Sequence, residues 1–375
     1  MPDKQNNIAS GSAATDTTLQ QEVGRNEGQV VGQMTNSQVS SVQEADIVVS
    51  SGGSATVYYQ LGANGQPHSS SSQSRTIPSL LPYLPNRSDQ EFALREAIQA
   101  YLQLNKSSPL ICIVHGDEFQ CHDKFLERIQ KLSLPKFFQL EATKVIIKDY
   151  PLAWPSGLKS LEKLPDYLYK HLADVVGEHG FASLEEINQA FCKYPYPAIV
   201  HTHLLTEDWN KQGARILYEL LEFWNRWPQL APNQQLVICI FVKYQMKRHQ
   251  KRSPFWFLKP WVLLQAFLKR RKCQKLNQNI QSQIDSLAQS NFSQYENIFG
   301  VVLPKLSDIS RTHVEDWIRT KSTKAFIGEA MLEQMIGAVR ELFDQREYQT
   351  SVSTISMDDL AEELIRLLQS ISVPK

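Results

Sequence analysis

The chain has 375 residues, 42% of them hydrophobic, and its 39 basic residues equal its 39 acidic ones. This length can supply one large core or two ordinary ones, and zero formal net charge excludes a general attraction to nucleic acid or anionic membranes. The five cysteines form no C-x-x-C pair, which is typical of a reduced, cytoplasmic protein. The longest apolar run, "FWFLKPWVLLQAFL", is about 14 residues and is interrupted by Lys259 and Pro260. We therefore expect neither a membrane span nor an N-terminal leader.

Residues 1–75 are rich in Ser, Gln, Asn, Gly and Thr, so we predict a largely disordered, low-complexity tail and linker. Within it, residues 29–61 alternate Val, Ile and Tyr with small polar residues, and the Gly-Gly pair at 52 and 53 suits a hairpin turn. Two interpretations stay open: a flexible tail with a marginal hairpin, or a segment that self-associates by templated cross-β assembly.

Residues 76–375 are predicted to be globular. A helix at 88–104 should start at a capping box of Ser88 and Glu91, and Ser183 and Glu186 form a second box. Helices are also expected at about 310–320, 327–345 and 357–370, within a helical C-terminal part at 306–375. Near-continuous apolar strands are expected at 109–115, 143–148, 197–204, 235–242 and 299–303. This alternation predicts an α/β fold with three layers, in which helices flank a mainly parallel, P-loop NTPase-like sheet of about five strands.

The stretch "LICIVHGDEFQCHDKFLERI" at 110–129 has the strand, loop and helix of a phosphate-binding P-loop. The loop is predicted to start at Gly116. A second glycine, a lysine and a Mg²⁺-binding hydroxyl are missing, and Cys121, His122 and Asp123 occupy those places. The candidate residues of this degenerate loop are Gly116, Asp117, Glu118, Cys121, His122 and Asp123.

Charge argues against triphosphate binding at this loop. We expect the Asp123 carboxylate to cap the following helix and so to occupy the N–H groups that a phosphate needs, and His122 to be a weak substitute for lysine. The third predicted strand reads "AIVHTHLLTEDW", with His201, Thr202 and His203 where Mg²⁺-binding acids would stand. No catalytic residue and no cofactor are therefore assigned. A nucleotide bound without hydrolysis remains the alternative.

The core from about Ile77 to Val302 resembles the inactive STAND class, which are degenerate relatives of signal-transduction ATPases in bacterial signalling and conflict systems. The resemblance rests on "LPYLPNRSDQEFALREAI", "LICIVHGDEFQCHDKFLERI", "HTHLLTEDW", "LLEFWNRWPQL" and "LVICIFVKY". It implies a P-loop-type fold without ATPase activity, that is, a pseudoenzyme or scaffold coupled to other signalling or effector proteins. No recognisable effector domain precedes the core.

Two further groups of residues, a Cys-His pair and a set of histidines, have patterns that are less specific than the phosphate-loop pattern. Cys121 beside His122 could be an activated thiol, and His201 and His203 lie on one strand face, where His115 or His122 could join them as metal ligands. Packing or structural hydrogen bonding is the favoured interpretation of these histidines, and no metal is assigned.

Residues 243–275 contain eleven Lys or Arg and no acid, interleaved with aromatic residues. This basic-aromatic segment fits a solvated face over core aromatics, a partner-protein surface or a membrane surface; no nucleic acid partner is expected. Its candidate contact residues are Lys247, Arg248, Trp256, Trp261, Arg270 and Arg271.

Overall fold

A computed structural model describes residues 47–49, 55–57, 76–140, 146–155, 160–180, 182–194, 196–206, 209, 213, 215–246 and 260–372. Two short strands, β1 (Ile47–Val49) and β2 (Ala55–Val57), pair antiparallel. They stand on either side of the Gly-Gly pair, as the predicted hairpin requires. The rest of the predicted tail at 1–75 lies outside the described residues.

The central sheet contains five strands in the described part of the chain, and all of them are parallel. They are β3 (Leu110–Asp117), β4 (Lys148–Pro151), β5 (Ala198–Leu205), β6 (Leu236–Tyr244) and β7 (Phe299–Val302). In space they follow the order β4, β5, β6, β3, β7. β3 therefore lies between β6 and β7; its last residue pairs with the last residue of β6, whereas β7 ends opposite Ile113.

Helices cover both faces of this sheet, which confirms the predicted three-layer α/β fold. Their bounds are α1 (Ser88–Gln103), α2 (His122–Arg128), α3 (Leu134–Phe137), α4 (Leu164–Val176), α5 (Leu184–Cys192), α6 (Arg215–Asn225) and α7 (Pro260–Ser290). The apolar side chains of α1, α2 and α3 pack on one face, and those of α4 to α7 pack on the other. The indole of Trp224 on α6 is fully buried, in agreement with the packing role predicted for that helix end.

The C-terminal part is helical and has its own apolar cluster. It consists of β8 (Ile309–Ser310), α8 (Arg311–Ile318), α9 (Lys321–Ile327), α10 (Leu332–Thr350), β9 (Thr354–Ile355) and α11 (Met357–Ser372). The separate helix α9 is missing from the sequence prediction. It ends at Gly328, whose φ of 82° is in the left-handed region. No helix in the described part of the chain is long and apolar enough to cross a bilayer.

Two local predictions are wrong. Of the predicted strand at 143–148, residues 143–145 lie outside the described part, residues 146 and 147 are not in a strand, and Lys148 begins β4. The prediction is displaced because β4 is an edge strand of mixed polarity that an apolar run does not mark. Helix α1 has no side-chain cap, and Glu91 instead accepts from Nε of Arg128 at 2.7 Å. The predicted capping box of Ser183 and Glu186 at α5 is confirmed, with both of its hydrogen bonds present.

Candidate functional site

The junction between β3 and α2 is shorter than the predicted phosphate loop. β3 runs to Asp117 and α2 begins at His122, so residues 118–121 alone join the strand to the helix. Gly116 does not start the loop as predicted, because it is a strand residue opposite Lys243 of β6. Parallel pairing on both sides of β3 extends the strand to this point and leaves four residues for the turn.

Two backbone N–H groups of this junction donate hydrogen bonds to carbonyl oxygens of the protein itself. The N–H of Glu118 donates to the carbonyl oxygen of Tyr244, and that of Gln120 donates to the carbonyl oxygen of Asp117, each at 3.0 Å. The Glu118 carboxylate accepts from the N–H of Met246 at 2.8 Å. A phosphate would have to displace these bonds to use the same donors.

Gly116 is needed for packing against the segment after β7. A Cβ at this position would stand 2.7 Å from Cβ and 2.8 Å from the carbonyl oxygen of Leu306. Leu306 is held there because its N–H donates to the carbonyl oxygen of His115 at 2.8 Å. The glycine that resembles a P-loop residue therefore makes room for the protein's own backbone.

The imidazole of His122 is buried and contacts the backbone beside the junction. Its side chain is 1% exposed, and Nε2 lies 3.0 Å from the carbonyl oxygen of Asp117. Because a carbonyl can only accept, Nε2 carries the proton and Nδ1 does not; Nδ1 is buried without a hydrogen-bond partner. Burial lowers the pKa of His122 to about 3. The ring is neutral at physiological pH and supplies no charge that could replace a lysine.

Asp123 does not cap α2, so the predicted role of its carboxylate is wrong. The N-cap residue is Cys121, with φ 50° and ψ 52° and no side-chain cap. The Asp123 side chain is 77% exposed and turns outward, with Oδ1 3.4 Å from Nζ of Lys243 and 3.3 Å from Nε2 of His203. Partial burial raises the pKa of Asp123, but Lys243 and then His203 outweigh it, and the net pKa is lowered.

Two lysines that the sequence analysis missed lie at this site. Besides Lys243, the chain places Nζ of Lys305 at 3.6 Å from Oδ1 of Asp117. Burial raises the pKa of Asp117 and Lys305 opposes that shift. Both lysines come from the carboxyl ends of strands beside β3, and that position was the available signal. Lys243 is paired with Asp123 of α2, and Lys305 with Asp117 at the end of β3.

A buried arginine joins the junction to the C-terminal part. Arg87 is 2% exposed, and its Nη2 donates to Oε1 of Gln120 at 3.0 Å, while Nη1 donates to the carbonyl oxygen of Ser307 at 3.3 Å. Gln120 in turn donates from Nε2 to Oδ1 of Asp308 at 2.6 Å. Burial lowers the pKa of Arg87 to about 10, so the guanidinium remains charged at pH 7. We call Arg87, Gln120, Ser307 and Asp308 the junction network.

Helix α11 also lies against the junction. The N–H of Asp358 donates to the carbonyl oxygen of Phe119 at 3.0 Å, and Sγ of Cys121 lies 3.8 Å from Oδ1 of Asp358. Burial, followed by the charge of Asp358, raises the pKa of Cys121 to about 12. The thiol is protonated at neutral pH, which contradicts the interpretation of Cys121 as an activated nucleophile.

The histidines of β5 share one face, as the strand period predicts. The rings of His201 and His203 are 5.4 Å apart, and His203 stacks on Phe241 at 4.7 Å. His201 has Nε2 3.5 Å from Oδ2 of Asp149. The intervening Thr202 is buried. Each ring has a carboxylate neighbour and His203 also stacks on an aromatic ring, whereas Nδ1 of each histidine is buried without a hydrogen-bond partner.

His115 cannot join these two histidines around a metal. Its Nδ1 lies 2.8 Å from the hydroxyl of Tyr244, which packs on the opposite sheet face from Phe241. Burial lowers the pKa of His115 to about 4. Across the residues that the structure describes, no three His, Cys, Asp or Glu side chains are arranged to hold a metal ion.

The remaining predicted positions are only partly visible. Arg270 and Arg271 are exposed on α7. The side chain of Trp261 and the whole residues Lys247, Arg248 and Trp256 lie outside the described part.

Residues 82–242 match the family model of inactive STAND (iSTAND) domains. The match includes the strand β3, the junction, and the strands β5 and β6. It confirms the resemblance found in the sequence and the degenerate P-loop NTPase-like fold of this region. No significant match was found among curated proteins.

Several solved structures are similar at low sequence identity. The Aeropyrum pernix ORC1 protein in complex with DNA is 12% identical with a TM-score of 0.35, and the match covers 79% of this chain and 63% of that one. The Aeropyrum pernix ORC2 protein (ADPNP-ADP complexes) is 12% identical with a TM-score of 0.33, and the match covers 79% of this chain and 70% of that one. Drosophila ORC bound to AT-rich DNA and Cdc6 is 11% identical with a TM-score of 0.20, and the match covers 78% of this chain and 99% of that one. The strand order and the family match show the P-loop NTPase-like fold.

Proposed function

We propose that the inactive STAND domain at residues 82–242, together with the C-terminal helices, is a non-catalytic signalling module that acts through contacts with partner proteins. The observation that carries this proposal is the junction network. In a working P-loop the turn after the first strand holds the phosphates of a nucleotide. In this chain the same turn is bonded through Gln120 to Arg87 and Asp308.

Electrostatics at the junction support the loss of triphosphate binding. Two like charges about 4 Å apart repel by roughly 4 kcal/mol at an effective dielectric constant near 20, whereas a helix dipole offers an anion about 0.3–1 kcal/mol. Lys243 and Lys305 already contact Asp123 and Asp117 at 3.4 and 3.6 Å. A triphosphate would therefore share these two cations with two carboxylates of the protein.

The end of β5 supports the absence of hydrolysis. Magnesium in phosphoryl-transfer sites is held by carboxylates, hydroxyls and the phosphates themselves. Residues 198–206 contain no Asp or Glu, and the imidazole of His203 occupies the space beside Asp123. With no acid in this range, the end of β5 offers no carboxylate that could hold Mg-ATP for attack.

The class of partner is proposed from the match to inactive STAND domains. Inactive STAND domains resemble signal-transduction ATPases of bacterial signalling and conflict systems, so the module is proposed to couple to a signalling or effector protein in the cytoplasm. The N-terminal segment at 1–75 is the proposed recruiting element, through a partner or through self-association.

Thermal unfolding with and without 1 mM Mg-ATP or Mg-ADP tests the nucleotide side. A ligand with a Kd of 10 μM would stabilise the fold by about 2.7 kcal/mol at that concentration, and we expect no change in the melting temperature. Isothermal calorimetry provides the second measurement. A micromolar affinity that Lys243→Ala weakens and Lys106→Ala does not would show that the junction still binds nucleotide and would refute the proposal.

Sedimentation of the full chain and of residues 76–375 tests the recruiting element. We expect the full chain to form larger species and the truncated chain to stay monomeric, since the β-prone stretch at 29–61 has low charge. A peptide of residues 28–62 that stays monomeric at high concentration would count against self-association.

A further inference from the structure

Helix α7 leaves the core at the carboxyl edge of the sheet. It runs from Pro260 to Ser290, and Ile280 and Ile284 in its C-terminal half are buried. Closer to its N-terminus, Nδ2 of Asn277 donates to the carbonyl oxygen of Gln245, the residue after β6, at 3.1 Å. Residues more than one turn before Asn277 therefore lie beyond the end of β6.

Side chains on this part of the helix are exposed on every face. Phe267 is 52% exposed, Leu268 is 56% exposed, and residues 269–272 are exposed as well. Because a helix turn has about 3.6 residues, six consecutive exposed side chains point in all directions around the axis. The arrangement that the sequence allows, a solvated face over core aromatics, is therefore wrong for these residues.

Positive charge is concentrated on the same turns. Five of the seven residues at 269–275 are basic, namely Lys269, Arg270, Arg271, Lys272 and Lys275. At a rise of about 1.5 Å per residue they span about 10 Å, which gives roughly one positive charge per 2 Å. No acid occurs from 243 to 284. We call residues 269–275 the α7 basic turns.

The described part of the chain supplies no carboxylate to the two arginines of these turns. Outside α7, each arginine of that part contacts a carboxylate or, in the case of Arg87, donates hydrogen bonds in the interior. Across the same described residues, Arg270 has no ion pair, and Arg271 lies over the ring of Phe267 at 4.9 Å. Their charge is therefore available to an anion from another molecule.

Double-stranded DNA matches the α7 basic turns in charge and in width. It carries about one negative charge per 1.7 Å of its axis, close to the density of positive charge on these turns. Its major groove is about 12 Å wide, and a helix with its side chains measures about 10–12 Å across. Basic side chains on opposite faces of the helix would therefore reach phosphates on both walls of the groove.

A flat anionic surface, such as an acidic face of a folded protein, matches them less well. Successive side chains of a helix are about 100° apart around its axis, so Lys269, Arg270, Arg271 and Lys272 cover the whole circumference. A flat surface contacts one side of a helix and would leave part of these charges unpaired. A groove with anions on both walls pairs all of them.

We propose that the α7 basic turns bind double-stranded DNA in its major groove, through the phosphates and without a fixed base sequence. The sequence by itself favours no nucleic acid partner, because the net charge of the chain is zero, whereas the exposure of these turns on all faces does. The contact leaves the junction network free, so it is independent of the proposed loss of nucleotide binding.

Fluorescence anisotropy of a labelled DNA duplex of about 24 base pairs, titrated with the full chain, tests the inference. Five phosphate contacts give a slope of about −4.5 in the logarithm of the binding constant against the logarithm of the salt concentration. We expect a Kd of about 1 μM or below at 50 mM NaCl and roughly 500-fold weaker binding at 200 mM. Arg270→Gln with Arg271→Gln should reduce the slope by about 2 and weaken binding at 50 mM NaCl at least about tenfold.

Matched controls separate this contact from general effects of charge. Lys106→Gln with Lys163→Gln removes two exposed charges elsewhere and should leave the affinity and the salt slope unchanged. An RNA duplex of the same sequence should bind at least about tenfold more weakly, because the major groove of A-form RNA is deep and narrow. The exposed positions of Arg270 and Arg271 predict an unchanged unfolding midpoint for their variant, which circular dichroism checks.

Four results would each overturn the inference. They are no binding of the DNA duplex at 50 mM NaCl, an unchanged salt slope in the Arg270 and Arg271 variant, equal affinity for the RNA duplex, and displacement of the DNA by poly-L-glutamate at an equal concentration of charge. The last result would assign the α7 basic turns to an acidic protein partner instead.

Discussion

The substitution Gly116→Ala tests whether this glycine serves packing or phosphate binding. The new methyl carbon would stand 2.7 Å from Cβ and 2.8 Å from the carbonyl oxygen of Leu306, whereas ordinary carbon contacts lie at about 3.5–4.0 Å. Either strand β3 or the segment at Leu306 must therefore move by about 1 Å. Leu306 is fully buried and its N–H is bonded to the carbonyl oxygen of His115 at 2.8 Å, so the shift strains that bond.

Overpacking of this kind costs about 1–3 kcal/mol, and a weakened backbone hydrogen bond adds about 1 kcal/mol. We expect Gly116→Ala to lower the free energy of unfolding by about 2–4 kcal/mol, measured by urea denaturation without nucleotide. Gly337→Ala is the matched control, because Gly337 is exposed on helix α10 and a Cβ there would meet nothing within 4 Å. It should stabilise the protein by about 0.5–1 kcal/mol. A Gly116→Ala variant as stable as the wild type would refute the packing argument.

Three further outcomes follow from the same site. Arg87→Met should destabilise the fold by about 3 kcal/mol, because hydrogen bonds from a charged donor contribute about 1.5–3 kcal/mol each. The control Arg366→Met removes an exposed ion pair and should cost under about 1 kcal/mol. Equal urea midpoints for the two variants would contradict this expectation. Burial lowers the pKa of His115 to about 4, so below pH 6.5 the unfolded chain binds the extra proton, and acidification to pH 5 should cost about 2 kcal/mol for this residue. The His115→Gln variant should lack this loss of stability, so its urea midpoint should fall less on acidification to pH 5 than that of the wild type. The same pH dependence in both proteins would contradict the prediction. Iodoacetamide at pH 8 should label exposed Cys192 before Cys121, whose pKa is raised to about 12, as mass spectrometry of tryptic peptides can follow.

Local patterns were sufficient for most of the fold. The apolar runs of β3 and β6 predict buried parallel strands because strands covered on both faces are apolar throughout, and Cys112 and Cys239 are fully buried within them. The same reasoning misplaced β4, since an edge strand has one hydrogen-bonded neighbour and need not be apolar. It also predicted a cap at Ser88 from the three-residue spacing to Glu91, whereas Glu91 is bonded to Arg128 on another helix.

The sequence by itself determined the α/β class, the missing lysine of the loop and the histidines at the end of β5, because each depends on residue types at short spacing. Only the tertiary structure decided what fills the loop. Lys243 is 120 positions from Asp123, and Asp308 is 188 positions from Gln120, yet each pair is in contact. Parallel strands with helical crossovers bring distant segments to one edge of the sheet, and no local pattern records which of their side chains will meet.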